Sequence, residues 1–210
     1  MSYLDINALR ATPLKTEPYD YIVVPDFVRP EVFQEIVADY PQVPEPGPYP
    51  LSDVEVGGRF QTLLDELNGP DFRHAVEEKF GIDLLSRPTY FTVRAESRSS
   101  DWKVHNDAAT KLVTVLLFMN DREGEDRGRL RILKSGTDPD DYVEAITTQG
   151  GTLLVLRRSD RSWHAHPPFV GTQRVIAMNW VTDRSVVSRE HGRHKVSSTL
   201  KKLNPFRKAS

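Results

Sequence analysis

After Pro88 the apolar pattern of this chain changes period, from helical to alternating, and it stays extended for about a hundred residues. That switch constrains the fold more than any other feature. Strands are expected near Thr89–Ala95, Trp102–His105, Leu112–Met119, Gly128–Leu133, Tyr142–Thr147, Thr152–Arg157, Ser162–His166 and Arg174–Val181. Turns between them are marked by Asp121-Arg122-Glu123-Gly124, Asp138-Pro139-Asp140-Asp141, Gly150-Gly151 and Pro167–Gly171. Eight short strands at this spacing predict a double-stranded β-helix (jelly roll) of two facing antiparallel sheets. In such a roll, strands far apart in sequence become neighbours, so residues far apart in the chain can share one site.

Ahead of Pro88 the signals are mainly helical. Tyr21-Ile22-Val23-Val24-Pro25 reads as a short strand ending at a proline. Pro30-Glu31 then opens a helix whose apolar face carries Phe33, Ile36, Val37 and Tyr40, and Pro41 stops it. Five prolines between Pro41 and Pro50 impose an extended loop. A second helix is expected over Phe60–Leu67, ended by Asn68-Gly69-Pro70, and a third from Asp71, with Phe72, Val76 and Phe80 inward and Gly81 closing it. The expected organisation is an N-terminal strand and helical layer (1–86) packed on one sheet, a jelly-roll core (87–183) and a basic C-terminal tail (184–210).

The 210 residues suit one domain with a packed core. There is no cysteine, so a metal site here must use nitrogen and oxygen ligands. The first residues lack the pattern of a secretory signal, and Leu112–Met119 is too short to span a bilayer, so a soluble cytoplasmic protein is expected. The formal charge of −2 conceals a tail from Arg184 onward of net about +7, against about −9 for the rest. The tail, with His191 and His194, reads as a solvated segment; no nucleic-acid partner is expected. An N-terminal strand or the tail could pair two chains into a homodimer.

The chemistry concentrates in Lys103-Val104-His105-Asn106-Asp107-Ala108. In an extended segment His105 and Asp107 point to one face. His164 follows 57 residues after Asp107, in Ser162-Trp163-His164-Ala165-His166, and Arg174 comes ten residues later. Two histidines and one carboxylate are the facial triad of non-heme iron oxygenases, which leaves metal positions open. His166 shares parity with His164 and competes for the distal position; the Ser-Trp-His context and the ten-residue spacing to Arg174 favour His164.

These motifs, with Gly128-Arg129-Leu130-Arg131-Ile132-Leu133 and Arg174-Val175-Ile176-Ala177-Met178-Asn179-Trp180, resemble the Fe(II)/2-oxoglutarate-dependent dioxygenases of the prolyl-hydroxylase kind over about Thr89 to Asp183. Val24-Pro25-Asp26-Phe27, Phe80-Gly81-Ile82-Asp83-Leu84 and Asn179–Asp183 extend the likeness to small bacterial oxygenases. The resemblance implies Fe(II) on His105, Asp107 and His164, with 2-oxoglutarate and O2 as cosubstrates and ascorbate as a reductant. It implies Arg174 as the fork for the distal carboxylate of 2-oxoglutarate. If Arg174 points inward, Ile176, Met178 and Trp180 do too, and Trp180 walls the cavity. Thr114, Phe118 and Leu130 are expected cosubstrate walls, and Arg94 and Arg131 candidate contacts to an anionic substrate. Two departures stand out: Phe118 where many prolyl hydroxylases have a tyrosine, and Ile176 where Arg-x-Ser is common.

The expected activity is oxidation, most simply hydroxylation, of an unactivated C–H in a small-molecule or peptidyl substrate, with release of succinate and CO2. Halogenation needs the metal carboxylate replaced by a small residue, which Asp107 opposes. The alternative is a non-catalytic jelly-roll protein that keeps a metal or ligand as a sensor.

Overall fold

The computed structural model describes residues 2–101, 103–122 and 128–189. Four α-helices precede or interleave with the first strands: α1 (Ile6–Ala11), α2 (Pro30–Ala38), α3 (Gly58–Leu67) and α4 (Pro70–Phe80). Proline fixes the backbone at the start of α2 and α4, where its missing N–H costs nothing. Gly81 ends α4 in the left-handed region (φ 60°), donating its N–H to Glu77 O, a conformation that penalises any side chain. The short α1 was not anticipated; Asp5 caps it by accepting from Ala8 N at 3.0 Å. No helix among the described residues is long and apolar enough to cross a membrane.

The strands are β1 (Tyr21–Val24), β2 (Tyr49–Pro50), β3 (Thr89–Ser97), β4 (Lys111–Phe118), β5 (Leu130–Leu133), β6 (Tyr142–Ile146), β7 (Leu153–Arg157), β8 (His164–Ala165) and β9 (Gly171–Val181). They form a six-stranded sheet in the order β1-β7-β4-β9-β3-β2 and a three-stranded sheet in the order β6-β5-β8. Every pairing is antiparallel. This is the expected jelly-roll arrangement, although the sheets are not closed into a barrel.

The large sheet is covered on both faces, and each face has its own core. Toward the helices, Val93, Val113, Val115, Leu117, Ile176, Met178 and Trp180 pack with Phe27, Phe33, Ile36, Phe60 and Phe72. Toward the small sheet, Phe118, Leu154, Leu156 and Val175 pack with Leu130, Ile132 and Ile146. Alternation along β4 and β9 decides which residues can reach the space between the sheets.

Two further elements differ from expectation. The strand proposed over Trp102–His105 does not form among the described residues; Trp102 lies outside them, and His105 makes a single bridge to His164. Among its described residues the ladder-like pairing stops at the reciprocal backbone bonds of His105 with His164, and the His105 ring turns back to Lys103 O. Tyr49–Pro50, inside the expected proline loop, adds an outer strand to β3, where a proline without an N–H is tolerated. Of the turn at Asp121–Gly124, Glu123 and Gly124 lie outside the described residues. So does most of the basic tail, from residue 190 on, with His191 and His194.

Candidate metal centre

His105, Asp107 and His164 come together with one ligand atom from each within 4.8 Å of the others. Backbone bonds join the two histidine-bearing segments reciprocally: His105 N donates to His164 O and His164 N to His105 O, both at 3.1 Å. Asn106, between the first two ligands, staples the same segments through its side chain. Its Nδ2 donates to Ser159 O at 2.7 Å, and its Oδ1 accepts from Ser162 Oγ at 2.6 Å. Arg158 Nε adds a bond to Asp107 O at 3.2 Å. Trp163 is seated against Gly136, where an added Cβ would lie 2.8 Å from the indole, so even alanine would push the ring out of place. The geometry is therefore built by the fold ahead of any ion.

The donor set fits a divalent transition metal. Both imidazoles use Nδ1–H to donate to a backbone carbonyl, His105 to Lys103 O at 3.1 Å and His164 to Ser162 O at 3.0 Å. In each neutral ring that leaves the Nε2 lone pair for a metal. The rings lie edge to face with centroids 4.2 Å apart. Ligands about 2.1 Å from a metal span at most roughly 4 Å, so the observed spread needs only a small closure.

Asp107 is buried, yet its carboxyl is held down to about 2. Burial alone would raise it; the Lys111 ammonium at 2.6 Å from Oδ1, the nearby His164 and the Thr114 hydroxyl outweigh burial. His164 is held down to about 4, first by burial and then by His105, against the opposing pull of Asp107. At neutral pH the cluster thus presents a carboxylate and a neutral His164, the states that metal coordination requires.

Thr114 orients the carboxylate. Its Oγ1 lies 2.7 Å from Asp107 Oδ2 and 2.9 Å from Asn179 Oδ1, all three side chains being buried. One hydroxyl proton cannot serve two acceptors, so the amide of Asn179 must be turned to donate from Nδ2. The resulting chain runs from Asn179 through Thr114 to Asp107. Thr114→Val keeps the shape and removes the bond, and its expected effect is a loss of metal affinity of about 10- to 100-fold. Thr114→Ser should retain most of that affinity. Calorimetric titration with Mn(II) checks both, and an unchanged Thr114→Val affinity would remove Thr114 from this role.

The other expected site residues separate. Phe118 and Leu130 lie fully buried between the sheets with Val175, on the face of β4 that carries Thr114. Arg174 and Trp180 do not join them. On β9, Ile176, Met178 and Trp180 enter the helix-side core, Trp180 stacks on Phe72 with centroids 5.9 Å apart, and the Arg174 guanidinium lies 6.0 Å from the centre of the Tyr40 ring. The residues of β9 that face the small sheet are Gln173, Val175 and Asn179, reading from the contacts each makes. Arg131 points away from Leu130 and Ile132, bonds Asp140 at 2.6 Å and covers the Tyr142 ring, so it is a surface ion pair. His166 is outside the ligand group, its Nδ1–H donating to Gly128 O at 2.9 Å.

Sequence reasoning did not single out Lys111, Asn106, Gln173 or Asn179. The last two carried a signal: with Thr172 and Arg174 they are the polar residues of the strand, and they stand six apart and so on one face.

Residues 91–182 match the family model described as the 2OG-Fe(II) oxygenase superfamily. The fold is similar to a prolyl 4-hydroxylase from Phytophthora capsici, with a TM-score of 0.54 at 13% identity over 88% of this chain and 68% of that one. It is also similar to a viral collagen prolyl hydroxylase from Paramecium Bursaria Chlorella virus-1, solved as a 2OG complex, with a TM-score of 0.52 at 14% identity over 77% of this chain and 94% of that one. A prolyl-4-hydroxylase from Pseudomonas putida aligns over 84% of this chain and 90% of its own, at 17% identity and a TM-score of 0.47. No curated protein matches the chain by sequence. The matched segment contains all three candidate ligands with Thr114 and Asn179, and over those residues the chain is similar to the 2OG-Fe(II) oxygenase superfamily.

Proposed function

We propose that the protein is an Fe(II)- and 2-oxoglutarate-dependent oxygenase that hydroxylates a C–H bond of a small-molecule or peptidyl substrate. The observation that carries this reading is the convergence of His105, Asp107 and His164 inside the segment matched to the superfamily. When bound there, the iron would supply O2 activation coupled to decarboxylation of 2-oxoglutarate to succinate. The chain's own residues do the rest. His105 and His164 offer Nε2 lone pairs, fixed in direction by their Nδ1–H bonds. Asp107 offers the negative charge, held in its ionised state by Lys111 and Thr114. His105 is exposed while Asp107 and His164 are buried, so one side of the ligand group opens to an incoming substrate.

The test is succinate formation by protein loaded anaerobically with Fe(II), then given 2-oxoglutarate and O2. Iron-dependent succinate above the metal-free control is the expected outcome, with or without a primary substrate. Tight metal retention with no 2-oxoglutarate binding and no succinate would overturn the enzyme reading in favour of a sensor.

A further inference from the structure

We propose that the anion anchor of this site is Arg94, flanked by Gln173, and that it receives a carboxylate of an organic acid held at the metal centre. The inference rests on the oxygenase reading for which acid is bound, but its geometry stands apart from that reading. Phe91, Val93 and Ala95 pack into the helix-side core, so Arg94, between them on β3, projects from the opposite face, toward the small sheet. Arg94 pairs in register with Val175 of β9, whose side chain lies between the sheets. Beyond that pair β9 carries one residue more than β3, since Glu96 faces Thr172, and Gln173 falls in this irregularity. Gln173 Nε2 comes within 3.4 Å of His166 Nδ1, which brings it across to the small-sheet side. His166 follows the candidate ligand His164 by two residues, one alternate step or roughly 7 Å along an extended chain. Arg94 and Gln173 therefore lie on the ligand-bearing side of the large sheet.

Arg94 is also equipped to bind. Among the described residues both of its side-chain hydrogen bonds leave from Nη1, to Asp101 Oδ2 at 3.0 Å and Ser97 Oγ at 3.3 Å. Those contacts fix the guanidinium plane and leave its Nε–Nη2 edge, the edge that grips a carboxylate with two parallel bonds. Its side chain is 23% exposed, so the edge can be reached. Arg174, by contrast, lies over Tyr40 on the far face of the sheet. Arg131 is spent on Asp140 outside.

The carboxylate could belong to 2-oxoglutarate or to the primary substrate, and binding experiments separate the two. Affinities of 2-oxoglutarate and of 2-oxopentanoate, which lacks the distal carboxylate, are measured by calorimetry on Mn(II)-loaded protein without O2. If Arg94 holds the cosubstrate, wild type prefers 2-oxoglutarate, and Arg94→Met loses roughly 10- to 100-fold of that preference. Arg94→Lys, which keeps the charge and not the fork, falls between, and Arg174→Met leaves the preference intact. If Arg94 holds the substrate, Arg94→Met binds 2-oxoglutarate normally but loses a second carboxylate, read by titrating propionate onto the 2-oxoglutarate complex. Loss of preference in Arg174→Met alone, or no effect of Arg94→Met on either acid, overturns the proposal. Binding is read without turnover, so a wild type that makes no succinate yet shows the Arg94 effect would defeat only the oxygenase reading. Active protein indifferent to Arg94 would defeat only the anchor.

Discussion

Asp107→Ala is expected to abolish divalent-metal binding in a protein that still folds. Asp107 supplies the only negative charge of the three-ligand group. Without it, a cation would face two imidazoles and the Lys111 ammonium, which now lies 2.6 Å from Asp107 Oδ1. The variant removes a ligand and leaves a repelling charge, so its loss of affinity should exceed the roughly 10- to 100-fold of an outer partner such as Thr114. Lys111 keeps 21% of its side chain exposed and can turn to solvent, which limits the cost to folding. Asp107→Asn is the companion variant: it preserves the shape and a bond to Thr114 while removing the charge. Calorimetry with Mn(II), beside anaerobic Fe(II), reads both, with thermal unfolding of the metal-free proteins as control. The pH dependence has a definite sign. A carboxylate held at about 2, below its ordinary 3.8, stabilises the metal-free fold above that ordinary value, and the contribution disappears as pH falls through about 2. Neither variant has that contribution to lose. Stoichiometric metal in Asp107→Ala at wild-type affinity would show that the ion sits elsewhere.

The residue types of the candidate metal group were legible in the chain, and the faces of the strands around them were not. His-x-Asp with a distal histidine is a pattern of residue types that chemistry alone makes informative. The segment 103–108 brings its ligands together even without a strand, because side-chain and backbone bonds from Asn106, Arg158 and His164 hold it. The strands β3, β4, β5, β6, β7 and β9 were readable for the same reason in each, a run of β-branched and apolar residues bounded by turns. On β9, however, Val175, Ile176, Met178, Asn179, Trp180 and Val181 are all buried. A strand covered on both sides shows no hydrophobic alternation, so nothing in its apolar residues says which face meets the other sheet. Reading inward from Arg174 chose the wrong face for Trp180. The irregularity near Thr172–Val175, which shifts the register against β3, could not be seen from one strand alone. The N-terminal layer was clearer because proline and glycine set its limits: Pro30, Pro70 and Gly81 lie where helices begin and end. Lys111 was invisible as a site residue because only the turn at residues 108–111 brings it back onto Asp107.

Trp180→Ala tests that assignment of faces through stability. The indole is 2% exposed, stacked on Phe72 and packed in the helix-side core, so the substitution opens a cavity between the sheet and α4. Large aromatic truncations of this kind cost about 3–5 kcal/mol, transfer and cavity contributions together. For a domain of this size each kcal/mol lowers the melting temperature by about 2–4 °C, so a fall on the order of 10 °C is expected. Trp180→Phe should recover much of it, because a smaller ring can still stack on Phe72. The metal centre lies across the sheet, and Mn(II) affinity of the folded variant should stay within a few-fold of wild type. A wall of the iron cavity would behave the other way, with little change in melting temperature and a large change in metal or 2-oxoglutarate affinity. That second outcome would return Trp180 to the cavity and require β9 to turn its even-numbered residues toward the small sheet. Arg174 would then face the ion as well, and the case for Arg94 as the anchor would weaken with it.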